Sequence, residues 1–254
     1  MVESIKVLIT VKTYPNPSTK YEETVCTVGV REDGSFIRLY PIDYRNKPYD
    51  QWYKKYQWVE VSVKKNLEDV RPESYRPVGD IKPIGDPLNT KNDWAERKKY
   101  VLARGVSTMC GLQKYQQKEV SLGVIKPKSV ERFIVEEQAE RDWKPEVLTR
   151  MKQTKLFGAT KSPLEKIPFK FSYSFFCEAD GCSGHKMMIE DWEAGQLFRD
   201  MRTKFGDEGI ACEKIKQKFF DAMCAEDIDT HFFVGTVLEH GTWVILGVFW
   251  PKKR

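Results

Sequence analysis

Apolar residues in the first third of the sequence fall in short stretches, which predicts β-strands rather than helices. The stretches are residues 5–11, 24–30, 35–40 and 58–63, and the last of them alternates apolar and polar positions. The second and third flank Asp33-Gly34, a pair typical of tight hairpins because glycine accepts a positive φ. Short strands joined by tight turns predict a small barrel-like unit or a curled antiparallel sheet.

The middle of the chain has a less regular pattern. Prolines are frequent over residues 71–87, which predicts an extended connector because proline lacks the donor that a β-ladder needs. A helix is predicted to begin at Asn92 or Asp93, both good N-cap residues, and to end near Leu102. A second, basic amphipathic helix is predicted over residues 145–157.

The last third has the most regular pattern. Aromatic residues alternate with polar ones over residues 169–175, which predicts a half-buried strand, and residues 186–189 supply a return strand. Two helices and a second hairpin are predicted to follow, over residues 191–206, 209–224 and 232–250.

These elements predict an α+β protein. The predicted architecture is a small N-terminal β-barrel-like or curled antiparallel sheet plus a C-terminal β-hairpin/helix/helix/β-hairpin unit. The predicted organisation is a β-rich unit over residues 1–80, a mixed helical connector region with the basic helix over 81–165, and an α+β unit over 166–254. The three can also form one continuous domain.

Charge adds little to this description. The 254 residues include 42 Lys and Arg against 37 Asp and Glu, and the net charge of +5 is small for a protein that binds polyanions. The excess lies between Arg141 and Lys170. The sequence has no apolar run long enough for a bilayer span and no recognisable signal peptide, which predicts a cytoplasmic protein without a membrane partner. Its six cysteines are then expected to be thiols or metal ligands.

The strongest chemical signal is a cluster of cysteine and histidine after the aromatic strand. Cys177, Cys182 and His185 have the spacing C-x4-C-x2-H, and thiolates with an imidazole suit Zn²⁺. We expect a structural rather than a catalytic zinc site, because catalytic zinc more often uses histidine and carboxylate ligands. The alternative is that the cysteines only pack in the core. The fourth ligand is left open among Glu190, Asp191, Cys212, Cys224, His231 and His240.

The acidic residues after this turn permit a different interpretation. Asp191 and Glu193 could hold Mg²⁺ for phosphoryl transfer and act, with His185 nearby, as catalytic residues of a metal-dependent hydrolase or nuclease. The competing interpretation is that these carboxylates cap a helix and complement its dipole. The sequence does not decide whether the protein is an enzyme.

Residues 44–58 combine six aromatic and four basic residues. Aromatic faces stack on unpaired bases while lysine and arginine bind phosphates, so this composition favours contact with DNA or RNA. The predicted contacts are Arg45, Trp52, Tyr53, Lys54 and Lys55, with a second phosphate-binding patch at Arg150, Lys152 and Lys155. The alternatives are that the aromatic residues are half-buried under lysine stems, or that they anchor a protein partner.

Together these patterns predict an intracellular accessory protein that binds or processes nucleic acid and contains a structural zinc site. A metal-dependent hydrolase and a subunit of a protein complex are the alternatives.

Overall fold

The computed structural model describes residues 1–18, 22–154 and 164–253, and it confirms the α+β class. The strands in these ranges are β1 (Val2–Lys12), β2 (Asn16–Ser18), β3 (Glu22–Arg31), β4 (Phe36–Ile42), β5 (Trp58–Lys65), β6 (Ser74–Ile84), β7 (Leu122–Ile125), β8 (Pro127–Glu137), β9 (Phe169–Cys177), β10 (His185–Met188), β11 (His231–Thr236) and β12 (Trp243–Phe249). The α-helices are α1 (Lys91–Val101), α2 (Met109–Leu112), α3 (Pro145–Thr154), α4 (Trp192–Phe205) and α5 (Glu208–Lys216).

The N-terminal strands close into a five-stranded barrel. Their order is β1-β5-β6-β4-β3, and β1 pairs again with β3 to complete the circle. All neighbours are antiparallel except β4 and β6. Gly29 allows β1 and β3 to approach closely, because a Cβ there would lie 2.6 Å from the carbonyl oxygen of Leu8. The barrel interior is filled by apolar side chains from every strand, among them Val7, Val25, Leu39, Val61 and Ile81.

The proline-rich segment is not the extended connector that the sequence predicts. Most of it forms β6, in which Pro77 pairs with Val63 of β5 and Pro83 pairs with Val59. On its other side, β6 pairs with β4 only at Ser74 and Tyr75. Both prolines therefore lie where this second ladder has ended, and the missing N–H groups cost little.

Two three-stranded sheets and two helices build the C-terminal part. One sheet has the order β10-β9-β8 and the other β12-β11-β7. The predicted arrangement of hairpin, two helices and hairpin is confirmed, and β7 and β8 add a third strand to each hairpin. Helix α5 continues into a π-helical turn over Gln217–Ala222. The core between these elements is dominated by aromatic and long apolar side chains, including Phe171, Phe175, Phe198, Ile215, Phe219 and Phe232.

The first helix begins differently from the prediction. Thr90 precedes α1, and Asn92, Asp93 and Trp94 have φ values of 50°, 53° and 62°, so the predicted caps at Asn92 and Asp93 are wrong. The left-handed turn directs Trp94 against Phe249, with ring centroids 5.3 Å apart. Tertiary packing of this indole therefore overrides the local capping preference. The basic helix is confirmed over Pro145–Thr154, and residues 155–157 of the prediction lie outside the described ranges.

The barrel and the C-terminal part share a third apolar core. The outer face of β3 packs against the sheet of β7, β11 and β12 through Val28, Val124, Phe233, Leu246 and Phe249, among others. Two arginines of the barrel also cross this boundary. Arg38 donates to the carbonyl of Ser121 at 3.0 Å, and Arg71 donates to the carbonyl of Thr236 at 2.6 Å. No described helix is both long and apolar enough to cross a membrane.

Candidate functional site

Three cysteines and one histidine meet beside the β9–β10 hairpin. Cys177 ends β9, Cys182 lies in the turn and His185 begins β10, so the hairpin itself brings these three side chains together. The fourth residue is Cys110 on α2. One ligand atom from each of the four lies within 4.8 Å of every other. The arrangement can hold a metal ion.

Four of the six ligand separations fit the edges of a tetrahedral metal site. Nε2 of His185 lies 3.4 Å from Sγ of Cys110, 3.5 Å from Sγ of Cys177 and 3.4 Å from Sγ of Cys182. The sulfurs of Cys177 and Cys182 are 3.6 Å apart. With Zn–S bonds of about 2.3 Å and Zn–N bonds of about 2.0–2.1 Å, a regular tetrahedron has S–N edges of about 3.6 Å and S–S edges of about 3.8 Å. These four separations agree with the corresponding edges to about 0.2 Å.

Local structure explains how the ligands are held. The side chain of Thr108 accepts a hydrogen bond from the Gly111 amide and caps α2, which fixes Cys110 in the first turn. The backbone N–H of Cys177 donates to Sγ of Cys182 at 3.4 Å. Gly181 and Gly184 have φ values of 70° and 92°, which allows the tight turn between the strands.

The charges of the cluster favour a cation. Burial opposes ionisation of Cys177, but hydrogen bonds outweigh it and lower the pKa of this thiol to about 6. Burial and the neighbouring sulfurs raise the pKa of Cys110 to about 11. Three thiolates this close repel one another, so a bound cation is needed to keep all three ionised.

Cys110 is the candidate ligand that the sequence does not reveal. It lies 75 positions before His185, in a segment without clear periodicity, and no second ligand lies near it in sequence. In the part of the chain that the structure describes, no other group of three or more His, Cys, Asp or Glu residues gathers its ligand atoms in this way. The candidates considered for the fourth position lie elsewhere: Glu190, Asp191, Cys212, Cys224, His231 and His240.

The two carboxylates considered for catalysis have structural partners. Asp191 is the N-cap of α4 and accepts from the Glu193 amide at 2.8 Å. Nζ of Lys55 lies 2.8 Å from Oδ2 of Asp191 and 3.0 Å from Oε2 of Glu193. Burial lowers the pKa of Lys55, but the two carboxylates outweigh burial and raise it above its usual value. These contacts agree with the capping interpretation.

The aromatic and basic segment is divided between core and surface. Tyr53 is 1% exposed in the barrel and its hydroxyl lies 2.7 Å from that of Thr27. Arg45 pairs with Glu23 at 2.9 Å, and both side chains are largely buried. Of the five side chains predicted for nucleic-acid contact, Arg45 and Lys55 therefore form internal ion pairs, and Tyr53 lies in the barrel core.

The remaining two predicted contacts, Trp52 and Lys54, are exposed, and so is Tyr49, which was not predicted and packs against Trp52. We call these three residues the Tyr49–Trp52 platform. Tyr49 is 86% exposed and Trp52 is 40% exposed, with ring centroids 6.0 Å apart. Trp52 packs on the buried Tyr44 at 5.5 Å, and its Nε1 donates to the Lys47 carbonyl at 2.9 Å. Lys54, two positions after Trp52, is also exposed. These contacts with Tyr44 and Lys47 fix the position of the Trp52 ring.

The second predicted patch is described only in part. Arg150 and Lys152 belong to α3, and Lys155 lies outside the described residues.

Comparisons with known proteins give a family for the chain and little else. A murine DNA-binding protein, solved with double-stranded DNA, aligns with 99% of this chain and 97% of its own, at 8% identity and a TM-score of 0.33. A similarity this low supports no inference. None of the curated proteins matches the sequence. Residues 3–103 match the family model described as Domain of unknown function (DUF8758). Residues 105–254, more than half of the chain, match a second model, and the protein therefore belongs to the family described as Domain of unknown function (DUF8757).

Proposed function

We propose that this protein binds single-stranded nucleic acid through the Tyr49–Trp52 platform and that a structural zinc ion stiffens its C-terminal part. The observation that carries the binding proposal is the exposed Tyr49–Trp52 pair, held on a buried aromatic base. The Tyr49 side chain is 86% exposed and therefore contributes little to folding stability, but its ring can stack on an unpaired base.

The charges around the platform fit this role. Lys54 is exposed. Among the described residues, the ammonium of Lys47 donates only to the neutral side chain of Gln51, at 3.1 Å, and no carboxylate there pairs with it. Both ammonium groups can bind phosphates on either side of a stacked base. Helix α3, with Arg150 and Lys152, would extend the contact to further phosphates, as would Lys155.

The barrel supports the proposal by analogy. Five strands with one parallel pair resemble the OB-type barrel, which many proteins use to bind oligonucleotides or oligosaccharides. A fold does not determine a function, so the exposed aromatic pair remains the main argument.

The donor set supports zinc as the metal. Three thiolates and one imidazole in a closed tetrahedron are typical of structural zinc, and all four positions are filled by protein side chains. Zinc would join α2 to the β9–β10 hairpin. In this proposal the metal does no chemistry and the acidic pair at α4 has a structural role.

Fluorescence anisotropy with labelled 12-nucleotide dT and rU strands tests the binding proposal. Trp52→Ala should weaken binding by about 10- to 100-fold, since each stacked base contributes about 1–3 kcal/mol. Lys54→Met should lower the salt dependence of binding by about one phosphate contact. Tyr115→Ala is the matched control, because Tyr115 is 54% exposed and lies outside the platform. Equal affinities of Trp52→Ala and the unmodified protein would contradict the proposal.

A further inference from the structure

A cleft of about 640 Å³ lies between the barrel and the C-terminal sheet. Its floor is the outer face of β3 and β4, which carries Cys26, Arg38 and Tyr40, and its roof is the β11–β12 hairpin. This volume is within the range of sites that bind small molecules. The Tyr49–Trp52 platform and the Cys/His cluster contribute no side chain to it.

Arg38 is the distinctive residue of this cleft. Its side chain is 2% exposed, yet no carboxylate in residues 1–18, 22–154 or 164–253 forms an ion pair with it. Nη2 donates to the carbonyl and hydroxyl of Ser121, and Nη1 donates to the weak acceptor Sγ of Cys26 at 3.4 Å. Nε is buried and has no hydrogen-bond partner among the described residues. The carboxylate of Glu73 is linked to Arg38 through the Ser121 hydroxyl, which donates to it at 2.6 Å. A buried guanidinium without a direct ion pair is costly unless an anion completes its contacts.

A second buried polar group lines the same cleft. Oγ1 of Thr236, at the end of β11, has no hydrogen-bond partner in the described part of the chain. The neighbouring wall is apolar, with Val244 and Leu246 of β12. The cleft therefore combines the guanidinium of Arg38, a free hydroxyl and an apolar surface. The ion-paired Arg71 and the carboxylates of Glu190 and Glu239 also line it.

We infer that this cleft binds a small amphipathic anion. Its phosphate or carboxylate group would pair with the guanidinium of Arg38 and accept from Thr236, and its apolar body would lie against Val244 and Leu246. Arginine suits this role because its planar fork matches both types of oxyanion. The site is independent of the proposed nucleic-acid platform.

Isothermal titration with two matched pairs of probes tests the inference. Adenosine monophosphate is compared with adenosine, and benzoate with benzamide, so that each anion has a neutral analogue. At least one anion should bind with a stoichiometry of one, more tightly than its neutral analogue. The pair that responds identifies the head group as phosphate or carboxylate.

Two variants separate binding from folding. Arg38→Met keeps the length of the side chain and should lower the affinity for the anion by about 10- to 100-fold, as expected for the loss of charged hydrogen bonds. Thr236→Val keeps the shape of the side chain and should lower this affinity several-fold. Arg31→Met is the control, since Arg31 pairs with Glu3 on the barrel surface outside the cleft. Unchanged binding in both cleft variants, or no preference for either anion over its neutral analogue, would overturn the inference.

Discussion

Replacing Cys110 tests whether a metal joins two distant segments of this chain. We expect Cys110→Ser to reduce zinc content below one ion per chain and to remove most of the stabilisation that zinc provides. The other three ligands belong to a single hairpin, so they can still gather without Cys110. What the variant loses is the connection between that hairpin and α2.

The size of this effect follows from the chain separations. Cys110 and His185 are 75 positions apart, whereas Cys177 and His185 are 8 apart. In the chain-entropy model, a cross-link over 75 residues restricts the unfolded chain by about 4.5 kcal/mol, and one over 8 residues by about 2.5 kcal/mol. Losing the longer link should therefore lower the zinc-dependent part of the free energy of unfolding by about 4.5 kcal/mol.

The assay is urea unfolding followed by tryptophan fluorescence, with and without a zinc chelator, alongside elemental analysis of the same samples. Cys212→Ala is the matched control, because Cys212 is a buried cysteine of α5 outside the cluster. This variant should keep its zinc and its response to the chelator. If Cys110→Ser retains one zinc and the same chelator-sensitive stability, the four-ligand site is refuted.

Three further predictions concern single side chains. Burial raises the pKa of Glu190 from 4.5 to about 7, so the contribution of its carboxyl group to stability is present below pH 4.5 and is lost as the pH rises to 7. Glu190→Gln should therefore stabilise the protein by up to about 3 kcal/mol at pH 8 and not at pH 4. An equal effect in urea unfolding at both pH values would contradict this. Lys55→Met should cost about 3 kcal/mol because it leaves Asp191 buried without its cation, and a loss below 1 kcal/mol in the same assay would refute the buried pair. Gly29→Ala should cost about 1–3 kcal/mol, since the new Cβ meets the Leu8 carbonyl, and thermal unfolding at an unchanged midpoint would contradict it.

The sequence predicts elements well where a single periodicity determines them. The alternation over residues 169–175 identifies β9, and Asp33-Gly34 identifies the β3–β4 hairpin, because these signals are local. It fails at β6, since the tolerance of prolines there depends on which edge of the strand is unpaired. The start of α1 is missed for a similar reason, as the packing of Trp94 is a tertiary effect.

The same distinction applies to the candidate sites. Cys177, Cys182 and His185 are recognisable because they are close in sequence, whereas Cys110 reaches them only through the fold. The composition of residues 44–58 indicates an aromatic and basic surface, but cannot separate the exposed Trp52 from the buried Tyr53. Arg38 gives no signal at all. Its significance arises from the missing ion pair, which is a property of the assembled molecule.

The third apolar core has a consequence for how this chain can be divided. A fragment ending near residue 103 would expose the outer face of β3, with Val28, to water, and the complementary fragment would expose Phe233 and Leu246. Contiguous apolar surfaces of this kind promote aggregation. Each half therefore covers the apolar face of the other and keeps it from water. We expect that a destabilising substitution on one side of this interface can be compensated by a complementary substitution on the other side.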